Sequence, residues 1–166
     1  MAVAKNVSLT DSDQQFIHEP EAIPGDDLFY DHVHLNFTGN YRLAVLFADE
    51  LEKQWPGAPA PASPWLTEDE VAHRLAFTDF DQRRVDAVMR ARLQQPPFDA
   101  QSNFRARDEH LREAISALSA PPANFSTNYQ IAVALAPDDW LLHADFAQLL
   151  EAAGNNSSAA EQWLAV

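Results

Sequence analysis

Apolar residues recur at helical spacing along most of the chain from about residue 36 onward. The first of these runs predicts a helix beginning at Asn36 or Thr38, because either side-chain oxygen can accept from the free N–H groups of a first turn. Pro56 has no N–H group and is expected to end this helix. The predicted apolar face comprises Tyr41, Leu43, Ala44, Leu46, Phe47 and Leu51.

The chain after residue 65 predicts helices throughout. Thr67 and Glu70 form a capping-box pattern, which indicates a helix start. Asp79 or Asp81 is expected to cap the next helix. Its predicted inward face comprises Val85, Val88, Met89 and Leu93.

Three more helices are predicted, over about residues 101–118, 124–135 and 138–153. Gly154 is expected to end the last of them in the left-handed conformation. No convincing alternation of apolar and polar residues predicts a strand here. The inward residues of the helix over 101–118 are predicted to be Phe104, Leu111, Ile115 and Leu118.

The stretch PGAPAPASP, residues 56–64, has four prolines and one glycine in nine positions, which predicts an extended linker. The predicted fold class is mostly α: an irregular N-terminal arm and one helix, then a helical array. The predicted divisions are residues 1–55, a linker over 56–64, a helical region over 65–123 and a repeat-like region over 124–166.

The chain's charge excludes several partners. Asp and Glu outnumber Lys and Arg 25 to 11, and the net charge is −14. Such a surface repels phosphate backbones and anionic bilayers, so neither nucleic acid nor membrane is expected as a partner. No apolar run predicts a signal peptide or a bilayer-spanning helix, and the absence of cysteine excludes disulfides.

The C-terminal part repeats with a period of 34 residues. Tyr129 and Trp163 are 34 positions apart, as are Ala132 and Val166, and Pro137 follows Ala132 by five. This pattern resembles the tetratricopeptide repeat, in which a small residue lets two helices approach and proline ends the second helix. The resemblance implies one repeat ending near Pro137 and most of another. That second repeat would contain Ala147, Leu150, Gly154, Ala159, Trp163 and Val166.

The repeat departs from the family pattern at one position near its start, where the family usually has a tryptophan and this chain has His143. The second repeat also stops at Val166, before its proline. A repeat needs neighbours to bury its apolar face, so we expect a piece of a longer protein. An apolar edge left by the truncated repeat predicts self-association or marginal stability.

The most concentrated candidate chemistry is in FYDHVHLNFTGNY, residues 29–41, where Asp31 precedes His34 by three. With Asn36, Gly39 and the following helix, it resembles the last sequence block of the SGNH (GDSL-like) hydrolases. The resemblance covers about residues 22–55. It implies that Asp31 orients His34 and that His34 is the general base toward a serine hydroxyl.

The chain lacks other parts of that family's pattern. It has no Gly-Asp-Ser block for the nucleophile, and Ser8 and Ser12 have no glycine nearby. The Gly-Asp-Asp at residues 25–27 lies beside the Asp–His pair. About 55 residues are too few for the parallel sheet of such a domain. The chain is therefore not expected to be a complete enzyme, and no cofactor or metal is implied.

Two other interpretations of this segment stay open. Asp31, His32 and His34 offer metal ligands, although in an extended segment the two histidines would point to one side and Asp31 to the other. They are also compatible with ordinary loop residues before a helix.

The main functional prediction is a protein-interaction region, attached to the C-terminal piece of an SGNH-like hydrolase, that binds a protein partner or the missing domain. The alternative is that Asp31 and His34 complete an esterase site in a longer parent or an assembled complex.

Overall fold

The computed structural model describes residues 8–17, 25–55, 65–117 and 125–166. These residues are mostly helical, which confirms the mostly-α character of the predicted fold class. The predicted linker, residues 56–64, and the predicted inward residue Leu118 lie outside the described residues. The helices within the described ranges are α1 Ser12–Phe16, α2 Phe37–Gln54, α3 Glu68–Arg74, α4 Asp79–Leu93, α5 Phe104–Ala117, α6 Phe125–Leu135, α7 Trp140–Ala152 and α8 Asn156–Trp163, with a 3₁₀ turn at Phe98–Ala100.

The chain divides into two compact units, Met1–Glu68 and Asp69–Val166. In the first, the N-terminal arm is not wholly irregular as predicted, because Asp11 caps the short helix α1. Residues after the linker lie along α2 in this unit. The hydroxyl of Tyr41 donates to the carbonyl of Leu66 (2.9 Å), and Trp65 Nε1 donates to Asp49 (2.6 Å).

Helix α4 begins one residue earlier than the predicted caps allow. Thr78 is the N-cap, with extended backbone, and its hydroxyl accepts from the N–H of Asp81 (3.4 Å). The Asp81 carboxylate accepts in return from the N–H of Thr78 (2.9 Å). The assignment of the cap to Asp79 or Asp81 was therefore wrong, because Asp81 is the reciprocal partner at the third helical position.

Only part of the predicted inward face of α4 packs inward. Met89 and Leu93 are buried, but Val88 is 68% exposed. Helix α4 packs along α5, where Arg90 donates to both carboxylate oxygens of Asp108 (2.8 and 3.3 Å). Helix α5 starts at Phe104 rather than at residue 101, because residues 101–103 form a turn.

Helices α6, α7 and α8 pack in sequence, α6 along α7 and α7 along α8. Tyr129 stacks on Phe146 with ring centroids 5.2 Å apart. Gly154 has a φ of +78°, which confirms the predicted left-handed end of α7. The buried core of this unit comprises Ala76, Tyr129, Ala132, Leu142, Phe146, Leu149, Leu150 and Ala159.

His143 is a buried polar residue on α7. Its Nδ1 lies 2.8 Å from Gln162 Oε1, and its Nε2 lies 3.0 Å from the carbonyl oxygen of Pro137. His143 thus joins α7 to α8 and to the α6–α7 connection.

Candidate functional site

The Asp–His segment is held in a reversing loop that leads into α2. The Gly25 carbonyl accepts from the N–H groups of Leu28 (3.0 Å) and Phe29 (2.9 Å), which forms a tight turn. Farther along, the N–H of Tyr30 donates to the carbonyl of His34 (2.7 Å). A single antiparallel bridge pairs Phe29 with Leu35, so residues 30–34 form the tip of the loop.

Asn36 joins the loop to the helix. Its Oδ1 accepts from the N–H of Gly39 (2.9 Å), so of the two predicted candidates Asn36, and not Thr38, is the N-cap of α2. Its Nδ2 donates back to the carbonyl of Asp27 (3.0 Å), and its N–H donates to the carbonyl of Leu28 (2.9 Å). One side chain therefore caps the helix and positions the loop before it.

Gly39 is required by close packing. It is buried in the first turn of α2, beneath Leu28, which is fully buried. A Cβ atom at this position would meet the carbonyl oxygen of Leu28 and would lie 2.8 Å from Leu35 Cδ2. The Asn and Gly of the sequence pattern thus hold the loop against the helix.

Asp31 and His34 meet at the loop tip. Asp31 Oδ2 lies 2.7 Å from His34 Nδ1. Asp31 Oδ1 accepts from the backbone N–H groups of Val33 and His34, both at 2.8 Å. Asp31 is only 2% exposed, whereas the His34 side chain is 38% exposed. The acid is therefore held rigidly, and the imidazole it orients is accessible.

The environment of Asp31 favours its charged form. Burial opposes ionisation, but the N–H groups of Val33 and His34 and the His34 ring outweigh it, so the pKa of Asp31 lies below its usual value of 3.8. When His34 is neutral, a carboxylate at Nδ1 keeps the one ring proton on Nδ1, so Nε2 is unprotonated. This is the arrangement of acid and base in a hydrolytic triad.

The described residues bring no serine hydroxyl to His34. Ser8, one of the two serines considered from the sequence, donates instead to Glu50 on α2. The Gly-Asp-Asp segment forms the turn at the start of the loop, where Asp27 Oδ1 accepts from the N–H of Gly25 (2.9 Å). The acid and the base are together, but no serine hydroxyl makes a hydrogen bond with His34 among the described residues.

The geometry assumed for a metal site is wrong. Residues 31–33 form a bend rather than an extended segment, so Asp31 lies against His34 and not on the opposite side. Nowhere in the described ranges do three His, Cys, Asp or Glu side chains form a group able to hold a metal ion. No described helix is long and apolar enough to cross a membrane.

Comparison of the chain with protein-family models, with curated proteins and with solved structures finds no match in any of the three. The functional interpretation consequently depends on the geometry of the site.

The sequence interpretation missed a second group of interacting polar residues, in the unit after Glu68. Asp81 accepts from the Tyr129 hydroxyl (2.8 Å), and Arg84 donates to Asp145 (3.3 Å). A sequence signal for this cluster is the helical spacing that puts four residues on one face of α4, namely Asp81, Arg84, Val85 and Val88. The partners Tyr129 and Asp145 are too distant in sequence to be assigned from that spacing.

Proposed function

We propose that Asp31 and His34 are the orienting acid and general base of a Ser-His-Asp ester-hydrolase site of the SGNH type. The observation that carries this proposal is the 2.7 Å contact between His34 Nδ1 and the buried Asp31 carboxylate. The nucleophilic serine is supplied by a longer form of the polypeptide or by a second chain. The described residues alone are not a complete active site.

In the proposed reaction, the serine oxygen attacks the ester carbonyl carbon while its proton passes to His34 Nε2. Asp31 stabilises the imidazolium that forms. His34 then donates the proton to the leaving alcohol, and a water molecule, activated in the same way, hydrolyses the acyl-serine. The ionised state of Asp31 suits this role, because a carboxylate stabilises a protonated ring.

The genomic DNA upstream of codon 1 provides the first test. We expect an in-frame Gly-Asp-Ser block, and we expect the longer product to hydrolyse p-nitrophenyl acetate. His34→Ala should reduce that turnover by about 10³-fold or more, as loss of a triad base does. His32→Ala is the matched control, because His32 is exposed two residues away. Equal rates for the two variants would exclude His34 as the base.

The 166-residue chain gives a separate measurement. We expect its hydrolysis of p-nitrophenyl acetate over pH 5–9 to equal that of its His34→Ala variant, because no serine faces His34 in the described residues. Turnover that the variant loses, with a limb near a histidine pKa, would reveal a nucleophile in this chain.

We further propose that the unit after Glu68 is a protein-interaction region of the tetratricopeptide type. Three alanines expected at close helix approaches are almost fully buried, Ala132, Ala147 and Ala159. Tyr129 fills the space beside Phe146, as an aromatic does in that family. Stacked helical hairpins present extended surfaces for protein partners.

A substitution where α6 closely approaches its neighbours tests the proposed repeat packing. Ala132→Leu adds three carbons at a fully buried position and should destabilise this unit by about 2 kcal/mol. Ala134→Leu is the control, at an exposed position on the same helix. Equal urea midpoints for the two variants would contradict the proposed packing.

A further inference from the structure

A cleft of about 360 Å³ opens in the second unit, between helix α4 and helices α6 and α7. One part of its wall is apolar, formed by Leu75, Phe77, Val85 and Val88. Leu75 is 53% exposed and Val88 is 68% exposed, so the rim presents apolar surface to water. Exposed apolar surface around a concavity is typical of a binding site.

The two valines lie on a continuous face of α4. Residues 81, 84, 85 and 88 have the spacing of one helix face, while Met89 and Leu93 are buried on another. The α4 part of the apolar wall is therefore a helix face whose end at Val88 the packing of the described residues leaves exposed. It is not an isolated exposed side chain.

The polar part of the cleft has an excess of negative charge. Arg84 Nη1 lies 3.3 Å from Asp145 Oδ1 and 4.0 Å from Asp81 Oδ1. The Tyr129 hydroxyl donates to Asp81, and burial, followed by the Asp81 charge, raises the pKa of Tyr129, which keeps the hydroxyl neutral. One guanidinium thus faces two carboxylates.

The side of the cleft formed by α6 and α7 belongs to a stretch that strengthens this negative potential. Residues 125–166 contain no Lys or Arg. Such a surface raises the local concentration of cations and repels anions. A second copy of this chain, at a net charge of −14, is also repelled. The acidic residues of this stretch are Asp138, Asp139, Asp145, Glu151 and Glu161.

We propose that this cleft binds a basic amphipathic helix of a partner protein. An apolar side chain of that helix packs on Val85, Val88 and Leu75, and a neighbouring Lys or Arg pairs with Asp145. Apolar anchors in grooves supply affinity in such complexes, and flanking charges supply orientation. This inference deepens the interaction role proposed above by naming the surface and the partner's chemistry.

The test uses the full chain and fluorescence anisotropy of two labelled helical peptides. One has Leu at positions i, i+3, i+4 and i+7 with Lys elsewhere, and the other replaces each Leu by Ser. Val88→Asp is the informative variant, because it removes apolar surface while adding a negative charge. Ile131→Asp is the matched control, since Ile131 is a comparably exposed apolar residue that does not line the cleft.

We expect the wild-type chain to bind the Leu/Lys peptide at least about tenfold more tightly than the Ser/Lys peptide. Val88→Asp should weaken binding of the Leu/Lys peptide about tenfold, while Ile131→Asp should leave it unchanged or slightly strengthen it. If net charge alone attracted the Leu/Lys peptide, both variants would bind it more tightly than wild type. That result would overturn the proposal.

Two further outcomes separate this inference from the interaction role. Binding that both variants weaken equally would place the site elsewhere and leave the role of the unit intact. No binding of the Leu/Lys peptide would overturn the proposed partner chemistry. The repeat packing is tested independently by Ala132→Leu.

Discussion

At the scale of single residues, Asp31 organises the loop that presents His34. Its two carboxylate oxygens accept from two backbone N–H groups and contact the histidine ring, all within four residues. Gly39 and Asn36 then hold that loop on the start of α2. The Asp-x-x-His spacing is short enough for a local hydrogen bond of this kind, but the sequence alone left open whether the two side chains meet.

The lowered pKa of Asp31 predicts a pH dependence of folding. As the pH falls, the unfolded chain takes up this proton near the usual value of 3.8, before the folded chain does. The stabilisation is therefore complete above about pH 4 and is lost as the pH falls through the folded-state pKa. Between pH 5 and pH 2.5, the free energy of unfolding measured by urea denaturation should fall less for Asp31→Asn than for wild type. Asp13→Asn, at an exposed position, should follow wild type.

Gly39 provides a steric prediction. Gly39→Ala directs a methyl group at the Leu28 carbonyl and Leu35, so we expect a loss of about 1–3 kcal/mol in the free energy of unfolding. NMR shifts of the His34 ring should change as well, because the loop must move. Ala44→Val adds carbon atoms at an exposed position of the same helix and is the control. Unchanged His34 shifts in Gly39→Ala would contradict this account.

At the scale of elements, helix boundaries follow from the caps. The cap of α2 is Asn36, one of its two predicted candidates, but the cap of α4 was predicted on an aspartate rather than on Thr78. Thr78 and Asp81 each accept from the other's N–H group, so both residue types suit the cap and only the backbone conformation distinguishes them. Asp81 also accepts from Tyr129, which links the start of α4 to α6.

Removal of the α4 cap should be measurable. Thr78→Ala leaves the N–H of Asp81 without its acceptor. We expect the free energy of unfolding to fall by about 1–2 kcal/mol, measured by urea denaturation with circular dichroism as the signal. Thr127→Ala, at an exposed position within α6, should change the stability by less than about 0.5 kcal/mol. Because Ala favours a helix interior over Thr, a loss as large in Thr127→Ala would show that the cap is not the specific cause.

At the scale of the whole molecule, an exposed apolar end competes with a large net charge. Leu164 is 89% exposed and Val166 is 54% exposed after the last helix. Apolar contact between copies favours association, whereas a charge of −14 on each copy opposes it. Which term is larger depends on ionic strength.

We therefore expect self-association to rise with salt. Sedimentation velocity should show larger species at about 1 M NaCl, where the Debye length is about 3 Å, than at about 0.05 M. Leu164→Asp should reduce the association at high salt, while Asp138→Asn should not. A sharp monomer boundary at every salt concentration would contradict the predicted association through this edge.

The sequence by itself determined the helical character, two candidate caps for α2 and the left-handed Gly154. Each depends on residues a few positions apart, where spacing and local hydrogen bonding decide the outcome. Only the tertiary structure decided that Val88 faces a cleft, that Tyr129 reaches Asp81, that His143 is buried, and that no described serine faces His34. Those facts depend on how distant segments pack, and one sequence carries no direct record of which of its helix faces meet.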